Sequence, residues 1–184
     1  LRVTPTCKYF GSCTGCQWQH INYKGQLKLK QDIVKREINS RESLQDIRVL
    51  PTLPSPEKLG YRNHARFTGR RNKQLGFVNR ITKQFVRIDK CQLMHESINN
   101  ILKTLQERVS GITQLSIRHG INTKSELVQP KLLESNLDIK SGQKEYFEKL
   151  LGRTFEIASP SFFQVNTHQT EKMANFITDN LNLS

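Results

Sequence analysis

Tyr61-Arg62-Asn63-His64-Ala65-Arg66-Phe67 alternates so that Tyr61, Ala65 and Phe67 share one face while Arg62, His64 and Arg66 share the other. A period of two with one apolar side marks a half-buried strand, and one solvated face is the habit of antiparallel sheets. Leu75 to Val78 and Phe85 to Ile88 are shorter strand candidates, with Asn79-Arg80-Ile81-Thr82-Lys83 as the turn between them, so the region reads as a meander. Helical spacing flanks it on both sides. Upstream, Leu27, Leu29, Ile33, Val34 and Ile38 give a broad apolar face to a surface helix from about Lys24 to Ser40, and Pro51, Pro54 and Pro56 mark a connection. Downstream, Ile98, Ile101, Leu102, Leu105 and Val109 predict a helix with Gly111 as its C-terminal cap. Strands are then expected at Gln114 to Arg118 and Ser125 to Gln129. A short helix is expected from Lys144 to Leu151, with Ser141 as N-cap and Gly152 as stop, and a last one carries Met173, Phe176, Ile177 and Leu181 on one face. The pattern is α+β.

The 184 residues, 35% of them hydrophobic, suffice for a real core. No run approaches the ~18 apolar residues of a membrane span, and the N-terminus lacks the basic-then-apolar layout of a secretory leader. These features exclude a spanning protein and lead us to expect a cytoplasmic monomer. Because the chain opens on Leu1 rather than Met, it is expected to be a piece of something longer. The net charge of +13 is unevenly placed: residues 58–90 hold ten Lys/Arg against one acidic residue, whereas residues 91–184 hold ten of each. Such a segment suits a polyanion, since clustered cations release counterions from phosphates. A solvated basic face is the competing reading. Arg62, Arg66, Arg70 and Arg71 are the leading candidates for nucleic-acid contacts.

The four cysteines form one pattern, Cys7-x5-Cys13-x2-Cys16 with Cys91 far downstream. Four thiolates suit a tetrahedral zinc or a 4Fe-4S cluster, and the spacing alone favours the cluster only slightly. Disulfides are not expected in a cytoplasmic chain, and unrelated buried thiols would not cluster in this way.

The stretch from Cys7 through Phe10-Gly11-Ser12-Cys13-Thr14-Gly15-Cys16-Gln17-Trp18-Gln19-His20, followed by Tyr23 and Gln26-Leu27, resembles the iron-sulfur signature of RNA 5-methyluridine methyltransferases acting on 23S ribosomal RNA or transfer RNA. Tyr61-Arg62-Asn63, Leu75-Gly76-Phe77 and Ser159-Pro160-Ser161-Phe162-Phe163-Gln164-Val165-Asn166 resemble three further blocks of that family in the same order. Thr14 departs from the family's more frequent glycine and lies between ligands rather than on one. The resemblance implies a 4Fe-4S centre on Cys7, Cys13, Cys16 and Cys91, a central domain that grips RNA, and S-adenosylmethionine as methyl donor. It implies substrate contacts from Phe162, Gln164 and Asn166, with Gln164 against a flipped uracil. Phe163 is as readily a packing residue at a domain junction.

The family's chemistry also needs a thiolate nucleophile, a methyl-donor pocket and a carboxylate base. With four cysteines assigned to the cluster and no G-x-G among ten glycines, none of these is expected here, and the chain alone should not catalyse. Asn182-Leu183-Ser184 fall about where a linker into the first strand of a Rossmann-like domain would begin. The expected layout is a cluster loop over residues 1–26, a central α+β RNA-binding domain with an antiparallel sheet over 27–152, and the truncated start of a methyltransferase domain over 153–184. In a longer parent this would form 5-methyluridine in structured RNA, 23S ribosomal RNA ahead of transfer RNA. The rival from another class is a non-enzymatic RNA-binding module with a structural zinc or iron-sulfur site. A ferredoxin-like carrier is disfavoured by the basic segment and the lack of a C-x2-C-x2-C run.

Overall fold

Phe67 and Leu115 face each other across two central strands, and both are fully buried. The strands are β1 (His64–Gly69) and β4 (Gln114–His119) in a computed structural model describing residues 1–134 and 136–181. With β2 (Leu75–Val78), β3 (Phe85–Arg87) and β5 (Glu126–Gln129) they form a five-stranded sheet of order β3-β2-β1-β4-β5, antiparallel throughout. Alternation sends Ala65, Phe67, Leu115 and Ile117 to one face. On the other, His64 stands opposite Arg118 and Arg66 opposite Ser116.

Helix α2 (Glu96–Leu105) covers the apolar face with Ile98, Ile101, Leu102 and Leu105, closing a core with Leu75, Ile88 and Val128. Each such side chain withdrawn from water contributes about 1.5–3 kcal/mol, so this layer is the main source of stability. Helix α1 (Tyr23–Asn39) is capped by Asn22, whose side chain accepts from the Gly25 N–H at 2.8 Å. Its only buried residue is Gly25, as fits a surface helix. A hairpin of β6 (Glu145–Leu150) and β7 (Arg153–Ala158) packs Tyr146 and Ile157 against Leu127 and Phe163. Helix α3 (Thr167–Asn180) follows, capped by Asn166. No helix among the described residues is long and apolar enough to cross a membrane.

Three expectations are corrected. Where a helix is expected over 144–151, Glu145–Leu150 is strand: Tyr146 and Glu148 are buried on alternate positions, and tertiary pairing with β7 overrides the helical preference of Glu and Lys. Ser141 caps nothing; its hydroxyl accepts from the Leu132 N–H at 2.9 Å, and Gly152 with Leu151 forms the hairpin turn at φ of +79° and +47°. This hairpin crosses position 152/153. Second, α2 stops at Leu105, short of Val109 and Gly111: Glu107 takes the left-handed conformation at φ +66°, freeing Gln106 to bond both the N–H and the carbonyl of Leu75. Third, Tyr61 precedes β1 and is only half-buried. The expectation attached to Asn182-Leu183-Ser184 lies outside the described residues.

Candidate functional site

Cys7, Cys13 and Cys16 lie near the start of the chain and Cys91 in the connection between β3 and α2, yet all four line one cavity of about 240 Å³. Tight turns place the first three. Phe10 N–H donates to the Cys7 carbonyl at 3.0 Å, Cys13 N–H to the Tyr9 carbonyl at 2.7 Å, and Gly11 supplies φ +92° between them, where a side chain would be strained.

The loop is then fastened to the sheet. The Tyr9 hydroxyl accepts from the Asp89 N–H at 2.9 Å and donates to the Asp89 carboxylate at 2.8 Å. Asn79 donates to the Ser12 carbonyl at 2.8 Å, and the Thr14 hydroxyl accepts from the Arg80 N–H at 2.8 Å. Thr14, the position that departs from the family pattern, thus docks the loop onto the β2–β3 turn. Cys91 is held from α2 by the buried Asn99, whose amide bonds the N–H and carbonyl of Cys91 and the carbonyl of Met94.

Phe77, Ile88 and Met94 give the cavity an apolar wall, Arg62 and Arg66 a cationic one, and no carboxylate lines it. Burial pushes the Cys16 thiol up, and likewise that of Cys91, where the N–H groups of Leu93 and Met94 act in the opposite direction. Four sulfur donors without oxygen ligands are the donor set of thiolate-held metals and iron-sulfur clusters. Among the described residues, no three His, Cys, Asp or Glu side chains converge as a single ion requires.

The four arginines do not form one cluster. Arg62 and Arg66 reach the cysteine cavity, whereas Arg70 and Arg71 lie exposed beyond the far end of β1, about 13 Å along the chain from Arg66 at the usual strand rise. Arg70 also stacks over the Phe85 ring at 5.2 Å. In the last block, Phe162 is 82% exposed and the Gln164 side chain is exposed. Asn166 is engaged: its Oδ1 accepts from the Gln169 N–H at 3.0 Å and its Nδ2 donates to Ser55 Oγ at 3.0 Å. Phe163 packs on the Tyr146 cluster and leans against Phe155.

The sequence assigned no role to Asn99 or Arg118, and Asn63 entered only as part of the Tyr61-Arg62-Asn63 block. Asn63, buried, donates through Nδ2 to the Gln164 carbonyl and to Thr167 Oγ1, each at 3.1 Å, tying the start of β1 to the final block. Only Arg118 left a readable signal, since alternation along β4 puts it with Gln114 and Ser116 on the polar face.

No family model matches the chain. Its curated relatives are named RNA methyltransferases. An uncharacterized RNA methyltransferase of Thermosynechococcus vestitus is 25% identical over 230 residues, covering 97% of this chain and 51% of that protein. Another from Aquifex aeolicus is 32% identical over 118 residues, covering 64% of this chain and 28% of that protein. The chain spans about half the length of the relatives it matches along most of its own length. Among solved structures, the Pyrococcus abyssi tRNA (uracil-54, C5)-methyltransferase in complex with S-adenosyl-L-homocysteine superposes with a TM-score of 0.70 at 20% identity, over 91% of this chain and 51% of that one. The chain therefore shares the fold of about half of that structure.

Proposed function

We propose that this chain is the cluster-carrying, RNA-gripping part of an S-adenosylmethionine-dependent RNA methyltransferase that forms 5-methyluridine in structured RNA, ribosomal or transfer. The observation that carries this is the gathering of Cys7, Cys13, Cys16 and Cys91 around one cavity. Four cysteines around one cavity, with apolar walls and no carboxylate among its described lining residues, suit a thiolate-held group, and the family resemblance selects a 4Fe-4S cluster over one tetrahedral zinc. When bound, the cluster would supply a four-point cross-link between the N-terminal loop and the β3–α2 connection.

Names of relatives support RNA as substrate, as does the basic segment over residues 58–90. The cluster loop is assigned to residues 1–26, the RNA-binding body to 27–152 and the first elements of the methyltransferase domain to 153–184, with the β6–β7 hairpin bridging the last boundary. The apolar stripe Met173, Phe176, Ile177 and Leu181 on α3 and its end, each side chain 43–55% exposed, supports that last assignment, since such a stripe is built to be covered. The methyl donor, the nucleophile and the base are assigned to sequence beyond this piece.

Anaerobically purified protein should be brown, with about four irons per chain. Cys13→Ser or Cys91→Ser should remove the colour and lower stability. Stoichiometric zinc without iron would overturn the cluster and favour the non-enzymatic RNA-binding module.

A further inference from the structure

The polar face of the sheet holds a second cavity, of about 330 Å³, lined by His64, Arg66, Ser116, Arg118, Gln129 and Ser159. We infer that this cavity is a subsite for a backbone phosphate of an RNA strand, an assignment that rests on the RNA-binding reading above.

Arg118 carries the argument. It is 6% exposed, yet among the described residues no carboxylate lies within ion-pair reach of it. One guanidinium nitrogen, Nη2, donates to the Ser161 carbonyl at 2.8 Å, and the group lies 5.6 Å from the centre of the Tyr146 ring. Its Nε is buried and has no hydrogen-bond partner among the described residues. A buried guanidinium is ordinarily paired, because neither a carbonyl nor an aromatic face neutralises a desolvated charge. The buried carboxylate of Glu148 is already committed to the N–H groups of Ile121, Asn122 and Lys149 and to the Thr167 hydroxyl.

Register adds a second cation. Arg66 pairs with Ser116, two residues before Arg118 on the same face of β4, so the two arginines are diagonal neighbours about 7–8 Å apart at their Cα atoms. Two guanidinium forks at that spacing can hold one phosphate between them. His64 adds no charge, since burial and the nearby Arg118, Arg62 and Arg66 push its pKa down to about 4, and its Nε2 lies 3.1 Å from Ser116 Oγ. The cavity is therefore cationic and has polar groups for phosphate oxygens. Its Ser159 wall leads within three residues to the exposed Phe162, so a strand anchored here can lay a base on that ring.

The test is fluorescence anisotropy with a labelled oligouridylate and with an uncharged-backbone analogue of the same sequence, over a series of salt concentrations. Arg66→Gln and Arg118→Gln should each weaken oligouridylate binding ~10-fold and reduce the salt slope by about 0.7, leaving the uncharged analogue unaffected. Inorganic phosphate should compete with the wild type more strongly than with either variant. If the wild type binds oligouridylate and a folded variant keeps its affinity and slope, the subsite is wrong and the RNA reading stands. If the wild type binds no RNA at all, the proposed function fails and this assignment goes with it. Arg66 is exposed, so its variant decides the matter even if Arg118→Gln does not fold.

Discussion

Asn99 on α2 grips Cys91 at both ends of its backbone: Asn99 Oδ1 accepts from the Cys91 N–H at 2.8 Å, and Nδ2 donates to the Cys91 carbonyl at 3.0 Å. Cys91 is the remote member of the set, and this amide holds it together with the Met94 N–H, which donates to the Cys91 carbonyl at 3.1 Å, and the loop contacts of Asp89. Asn99→Ala leaves the Cys91 N–H without its partner, whereas the Cys91 carbonyl keeps the Met94 N–H at 3.1 Å, and should destabilise the fold by about 1–3 kcal/mol. It should also weaken iron retention ~10-fold against a chelator, the usual effect of removing a support behind a ligand. Iron per chain after chelator challenge, measured beside a denaturant titration, checks both. Retention equal to wild type despite lost stability would limit Asn99 to a packing role.

Glu148 is fully buried and accepts from three backbone N–H groups and the Thr167 hydroxyl, joining the β4–β5 turn, β6 and the start of α3. Glu148→Leu should cost about 3 kcal/mol or more, since several buried donors lose their acceptor at once. Glu148→Gln keeps the shape and one acceptor oxygen and should cost less. Equal melting temperatures for wild type and Glu148→Leu would show that water can replace the carboxylate.

That carboxylate also explains where the sequence misled. Glu145, Glu148 and Lys149 read as helix formers, and a charged residue at 148 argues for exposure. The partners that make its burial tolerable, at Ile121 and Asn122, lie 27 and 26 residues away, and no local pattern points to them. Where the decisive information was local, the reading held. Alternation at Ala65 and Phe67 and helical spacing at Ile98, Ile101, Leu102 and Leu105 all mark buried faces. The cysteine site divides in the same way. The Cys13–Cys16 spacing is visible along the chain, but Asn99 resembles any polar residue on a helix, and nothing in β4 alone shows that Arg118 stands opposite His64.

Two histidines, His64 and His119, set most of a pH dependence, and His95, held down chiefly by burial, acts in the same direction. Burial, followed by Arg118, Arg62 and Arg66, pushes His64 from its ordinary value of 6.5 down to about 4. Burial, then His95 and Lys124, does the same to His119, with Glu148 opposing, while Ser97 lies 3.3 Å from its Nε2. Its Nδ1 stands 3.3 Å from Glu126 but lacks hydrogen-bond geometry to it. Below 6.5 the unfolded chain takes up protons at both sites that the native state refuses. Stability is therefore undiminished above about 6.5 and falls as the pH drops from there toward 4. Melting temperatures across that range should decline in the wild type and less steeply in a His64→Gln/His119→Gln variant. Parallel curves would assign the decline to other groups.

Gln164 is a test of substrate contact that the structure makes cleaner. The last block is tied to β1 through its backbone: Asn63 Nδ2 donates to the Gln164 carbonyl at 3.1 Å, and Asn63 N–H donates to the Val165 carbonyl at 3.0 Å. The Gln164 side chain is exposed and makes no hydrogen bond among the described residues. Gln164→Ala should therefore leave the melting temperature of this chain unchanged, whereas Asn63→Ala should lower it. If Gln164 meets a flipped uracil, whose edge offers two carbonyl acceptors and an N3 donor, its amide can match both kinds of group. In a protein extended to carry the methyl-donor domain, Gln164→Ala should then reduce turnover by the equivalent of about 1–3 kcal/mol. Affinity for the body of the RNA should change little, because the proposed function assigns most of it to basic residues such as Arg66 and Arg70. Methyl incorporation and melting temperature measured on the same preparations decide the point, and full turnover in Gln164→Ala would remove the residue from the substrate site.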